Sequence, residues 1–126
     1  MDFEQALTYE LQTITGLSGK VYPQKAPENA TPPFVVYFSS EGEPIMALSG
    51  PTDMTELSCE IHVSAETYEQ MKSLTKNVTN RLQTFFQRSI GQNGPIIKSI
   101  SHTEPTEDID NNTNCHISSF DIRVRF

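Results

Sequence analysis

Cys59 and His62 stand three residues apart and Cys115 adjoins His116. Thiolate and imidazole are preferred ligands of zinc, so these pairs are the first groups to weigh as a metal site. Both lie in stretches of strand-like alternation, where residues an odd number apart point to opposite faces. Neither pair can easily close on one tetrahedral ion, and core thiols with surface histidines are the expectation. His102 has no ligand-type neighbour in sequence. In DIDNNTN, Asp108, Asp110 and Asn112 match the first, third and fifth positions of a helix-flanked calcium loop. Thr113 then stands where that loop needs glycine and Ser119 where it needs a bidentate glutamate, so a solvated hairpin loop is expected.

Nucleophilic chemistry finds no footing either. The chain has no G-x-S-x-G elbow, no glycine-rich phosphate loop, and no cysteine and histidine that would share a strand face. Carboxylates are plentiful, but nothing places two of them in a cleft. The sequence names no catalytic residue, no cofactor and no metal ligand, and the expectation is a protein that is not an enzyme.

The elements that would position such groups are legible from punctuation and period. Asp2 with Gln5 three residues on forms a capping-box pattern, and Phe3, Leu7, Leu11 and Ile14 follow at helical spacing until Gly16 and Gly19. The proline-rich segment 19–33 predicts a short extended piece and a loop. FVVYFSS, residues 34–40, is dense in β-branched and aromatic side chains and predicts a strand that is not an exposed edge. In TELSCEIHV, residues 55–63, Leu57, Cys59, Ile61 and Val63 alternate with Glu56, Ser58, Glu60 and His62, the period of a half-buried strand. Ser64 is the expected N-cap of a long helix whose stripe is Tyr68, Met71, Leu74, Val78, Leu82 and Phe85, ending at GQNGP. A third strand should run over 96–104, and PTEDIDNNTN should be a polar loop. A fourth strand should run over 115–126, with a β-bulge at Ser118 and Ser119 restoring the phase of Ile117. The expected fold is α+β: a four-stranded, mainly antiparallel sheet of two hairpins, with the short and the long helix on one face, in a single domain spanning 1–126.

Sixteen acidic residues against nine basic ones give a formal charge of -7, which disfavours binding to nucleic acid or anionic lipid. No lysine or arginine occurs from residue 26 to 71, while eight carboxylates do, so this segment should carry a negative face. The first residues lack a secretion signal and no stretch could span a bilayer, so synthesis in the cytoplasm is expected, with two reduced cysteines and no use of the sequons at Asn29, Asn77 and Asn111. One segment resists this description. EGEPIMALSGPTDM, residues 41–54, places Ile45, Met46 and Leu48 between two prolines, where a plain connection would be polar.

The chain as a whole resembles the tail completion or tail terminator proteins of long-tailed bacteriophages, in particular the tail-to-head joining family. The likeness rests on a short first helix, on VYPQKAPENATPPFVVYF leading into the first strong strand, on ELSCEIHVSAETYEQMKSLTKNVTNRL, and on the closing SSFDIRVRF. It implies a subunit of a virion, made in the host cytoplasm and placed at the head-proximal end of the tail. There a homo-hexameric ring caps the tube of the major tail protein, stops its polymerisation and meets the head-tail connector, without a cofactor or a membrane. Under that resemblance Ile45, Met46 and Leu48 become a candidate contact with a neighbouring subunit or partner, the alternative being a longer hairpin that folds them onto their own sheet. Glu41, Glu43, Glu56 and Glu60 become candidate lumen-facing carboxylates that repel passing DNA. Residues 41–54 and 105–114 are expected to be flexible in a monomer. Another head-tail connector or minor tail component is an alternative, and from a different class so is a small cytoplasmic enzyme or ligand-binding domain with its pocket between helix and sheet.

Overall fold

The computed structural model describes residues 1–126, Pro51 by its place in a strand alone. Its first element, α1 (Phe3–Gln12), begins as the capping box requires: the Asp2 carboxylate accepts the Gln5 amide at 2.8 Å and the Gln5 side chain accepts the Asp2 amide at 3.2 Å. Phe3, Ala6, Leu7 and Leu11 face the core.

A mixed seven-stranded sheet follows, within an α+β fold. Its strands are β1 (Val21–Pro23), β2 (Phe34–Ser39), β3 (Glu43–Ala47), β4 (Gly50–Ala65), β5 (Ser99–His102), β6 (Thr106–Asp110) and β7 (Cys115–Arg125). The long helix, α2 (Tyr68–Gln83), links β4 to the last three strands. The lateral order is β1-β2-β4-β7-β5, with β3 added to β4 and β6 to β7. Only β1 runs parallel to its neighbour.

Alternation in β4 is as read: Leu57, Cys59, Ile61 and Val63 are buried, and Glu56, Ser58, Glu60 and His62 lie on the other face. Against the inward row lie Phe120, Ile122 and Val124 of β7, then Met71, Leu74, Val78 and Leu82 of α2 and Phe85 just beyond it. The Phe3 ring stacks on Phe126 at 5.7 Å and joins α1 to the end of β7.

Four readings are corrected. The sheet has seven strands, not four: the short extended piece is β1, paired with β2, and β3 and β6 arise in segments whose proline, aspartate and asparagine content reads as loop. They are strands because β4 and β7 are long and offer unused edges. The N-cap of α2 is Thr67, whose hydroxyl accepts the Gln70 amide at 3.1 Å, while Ser64 is still in β4, paired with Ile117 and Phe34. The helix stops at Gln83, and Tyr68 at its start is 48% exposed, outside the buried stripe. Finally, β4 and β7 keep one register from Glu56↔Arg125 to Ala65↔His116, with no bulge at Ser118 and Ser119. Ser118 simply takes an inward position of the row, and Ile117 faces the other way, half-buried.

Candidate interaction surfaces

Below the packed sheet, β3 and the first residues of β4 form a two-stranded hairpin. Gly42 opens it at φ +84°, a conformation costly for a side chain, and an added Cβ would meet the Thr55 methyl at 2.9 Å. The pairs Glu43↔Glu56 and Ala47↔Gly50 bracket a register shift, and the Thr52 hydroxyl donates to the Ile45 carbonyl at 2.8 Å. β7 ends at the level of Thr55, which exchanges backbone hydrogen bonds with Phe126. The hairpin thus extends past the other strands. Its apolar side chains are uncovered: Met46 is 67% exposed, Leu48 fully so, and Ile45 half-buried. The longer hairpin exists, but it does not fold Met46 and Leu48 onto the sheet.

Three of the four singled-out carboxylates are neighbours. Glu41, Glu43 and Glu56 line a shallow hollow of about 490 Å³ together with Ser58 and Arg123. Glu56 also pairs with Arg123 at 3.4 Å and with Arg125 at 3.7 Å, so the row is partly neutralised by β7. Exposed pairs of this kind contribute about 0–1 kcal/mol. Glu60 lies further along the same face, bonded to His62 at 2.8 Å, and His62 in turn meets the Ser119 hydroxyl at 2.9 Å.

The sulfur and imidazole groups are spread as alternation dictates. Cys59 points into the core and His62 away from it, and no cluster of three metal-ligand side chains occurs among the described residues. Burial, reinforced by the Glu4 charge, pushes the Cys59 thiol up to about 12. In the suspected calcium loop, Asp110 caps a tight turn instead: its carboxylate accepts the Asn112 amide at 2.9 Å and its carbonyl the Asn114 amide at 2.7 Å. The segment 105–114 holds strand β6 and a hairpin turn at 111–114.

Two features escaped the sequence. One is a half-buried ion pair, with Glu10 covered and Arg88 partly in solvent: the Glu10 carboxylate takes Arg88 Nη2 at 2.6 Å, Arg88 Nη1 at 3.3 Å and the Gly91 amide at 2.9 Å. Burial alone pushes the Glu10 carboxyl up, but the Arg88 and Gly91 hydrogen bonds and the guanidinium charge together outweigh it, and its pKa lies below the ordinary 4.5. Seventy-eight residues separate the partners, beyond the reach of local pattern.

The other is a second hollow, of about 660 Å³, between α2 and β6. Met71, Thr75 and Ser118 line its inner side, and Lys72, Lys76 and Glu107 its rim. Lys72 and Glu107 meet across it at 3.0 Å, a contact that raises the lysine pKa and lowers that of the glutamate. Ser118 is 1% exposed and its Oγ has no hydrogen-bond partner. A serine standing in the inward phase of Phe120, Ile122 and Val124 was the available signal.

Comparison with known proteins is informative only in shape. No family model and no curated protein matches the sequence. The chain is similar to a chain in the virion of a native gene transfer agent particle, with TM-score 0.72, 12% identity, and 98% of this chain and 92% of that one covered. A second similar solved chain, which bears only a serial designation, gives TM-score 0.50 and 18% identity over 98% and 91% of the two chains. At these identities the likeness is one of fold.

Proposed function

We propose that this protein is a structural component of a phage-type virion, and within it the subunit of a ring that caps the tail tube, ends tube polymerisation and joins the tail to the head connector. The observation that carries the reading is the β3–β4 hairpin, which presents Met46 and Leu48 to solvent beyond the core. Exposed apolar groups on a projecting element serve association, and a ring of identical subunits needs such surface. The full-length likeness in fold to a chain of a gene transfer agent virion supports the coarser part of this reading, a virion component.

In this reading the partners are five further copies of the chain, the major tail tube protein and the head-tail connector. Ile45, Met46 and Leu48 form the subunit contact. Glu41, Glu43, Glu56 and Glu60 face the lumen, where carboxylates repel passing DNA instead of holding it. The role is non-enzymatic and uses no cofactor.

Light scattering on the purified protein, alone and with tubes of the tail protein from the same particle, tests this. The expected result is a hexamer mass, or a monomer that joins tubes in a ring-sized complement. A monomer that ignores tubes overturns tube capping.

A further inference from the structure

The face of the sheet turned away from α1 and α2 holds a cleft at the end opposite the β3–β4 hairpin. Phe34, Ser64 and Ile117 stand in register on β2, β4 and β7, so their side chains lie side by side on that face. A serine between two large apolar side chains leaves a notch. The proline-rich loop walls it on one side, through Ala26 and Pro32, and the β6–β7 turn walls it on the other, through Asn112 and Asn114. The enclosed volume of about 980 Å³ stands at the upper end of the ~300–1,000 Å³ typical of ligand sites. Phe34, Pro32 and Ile117 are only half-buried, so the apolar floor can be reached from outside.

Four charged groups line the cleft: the carboxylates of Glu28, Glu66 and Asp110 and the ammonium of Lys25. None of them forms an ion pair among the described residues, and three carboxylates against one ammonium leave a net negative rim. Surface carboxylates alone are commonplace. Ser64 supplies a second, independent observation. It is 7% exposed, its hydroxyl has no hydrogen-bond partner among the described residues, and it is not sealed off as the Ser118 hydroxyl is. Buried hydroxyls nearly always have a partner, and this one can take it only from the cleft.

We propose that the cleft binds an aliphatic cation with two or more ammonium groups. Its alkyl chain lies over Phe34 and Ile117, its charged ends meet Glu28 on one wall and Glu66 and Asp110 on the other, and one N–H donates to the Ser64 hydroxyl. The negative rim rejects phosphates and carboxylates. A bare divalent ion needs converging oxygen ligands, and it would leave the apolar floor unused. A neutral apolar ligand would leave both Ser64 and the carboxylates without partners. The Phe34 ring, with Tyr22 set edge-on to it at 6.2 Å, adds attraction for a cation above the floor. The site is independent of the ring reading, whose hairpin lies at the other end of β4.

Calorimetric titration of the whole chain with spermidine at low ionic strength tests it. The expected result is one molecule bound per chain, with affinity that falls as salt rises. Affinity should drop roughly tenfold in the triple variant Glu28→Gln, Glu66→Gln, Asp110→Asn, and roughly threefold in Ser64→Ala. Asp110→Asn keeps an oxygen to accept the Asn112 amide, so the turn survives. Glu41→Gln with Glu43→Gln, in the other acidic hollow, should leave the titration unchanged. Acetylated trilysine amide is titrated in parallel. Either probe bound with this dependence on the variants upholds the site, and the tighter of the two shows whether a free amine or the lysine side chains of a partner protein supply the cation. No binding of either probe to the wild type, equal binding to the triple variant, or full affinity in Ser64→Ala overturns the proposal. So does displacement of spermidine by an equal concentration of Mg²⁺, which carries charge without an alkyl stem.

Discussion

The two halves of β4 share one extended backbone and differ in nearly everything else. From Leu57 to Ala65 the strand is flanked by β2 and β7, covered by α2, and its inward side chains are 3% exposed or less. From Gly50 to Met54 it is paired with β3 in a hairpin, and Met46 and Leu48 beside it face solvent. Hydrogen bonding along a strand is thus nearly independent of burial, and cover decides whether an apolar residue holds the fold or is left for another molecule. Stability should be concentrated in the upper half, since regions with few buried apolar contacts open at lower free energy.

Five substitutions, at positions from core to solvent, would break or sharpen this contrast. Phe85→Ala, in the core beyond α2, should cost about 3–5 kcal/mol in urea unfolding, through lost transfer energy and an unfilled cavity. Arg88→Met should cost about 2 kcal/mol, because it leaves the Glu10 carboxylate with the Gly91 amide alone. The pH dependence of this pair has a definite sign. A carboxyl with a depressed folded pKa contributes stability above its unfolded value, and loses it as pH falls through the folded one. The gap between wild type and Glu10→Gln should therefore be full near neutrality and shrink below pH 4.5. Ser118→Ala should change stability by less than about 1 kcal/mol despite complete burial, since the hydroxyl has no partner to lose. Leu48→Ser should lie within about 0.5 kcal/mol of wild type in monomer unfolding, while weakening association measured by light scattering. A large loss of folding stability in Leu48→Ser would erase the distinction between the two halves.

How far the fold was readable follows the same line. Elements that bury one face announced themselves: the alternation of 55–63, the stripe from Met71 to Phe85 and the capping box at Asp2 all have periods that core packing enforces. Elements held by backbone pairing alone did not. β3 contains Pro44 and β6 reads TEDID, and neither buries a side-chain row that would mark it as a strand. The N-cap was misplaced by three residues because Ser64 and Thr67 offer equivalent hydroxyls, and only the reach of β4 decides between them. Of the singled-out surface residues, Met46 and Leu48 were recognisable as apolar groups without a core, whereas the hollow at Ser118 depends on β6 and was invisible until that strand was in place.

The register of β4 with β7 also governs timing. Each residue from Glu56 to Ala65 takes a partner ~50 to 70 residues further along the chain, so the centre of the sheet closes through non-local contacts that form slowly. On a ribosome, one side of β4 would wait bare until β7 emerged, at the stage when unpaired strands are most prone to wrong association. The long edge of β4 is therefore exposed to wrong partners until the last strand of the chain covers it.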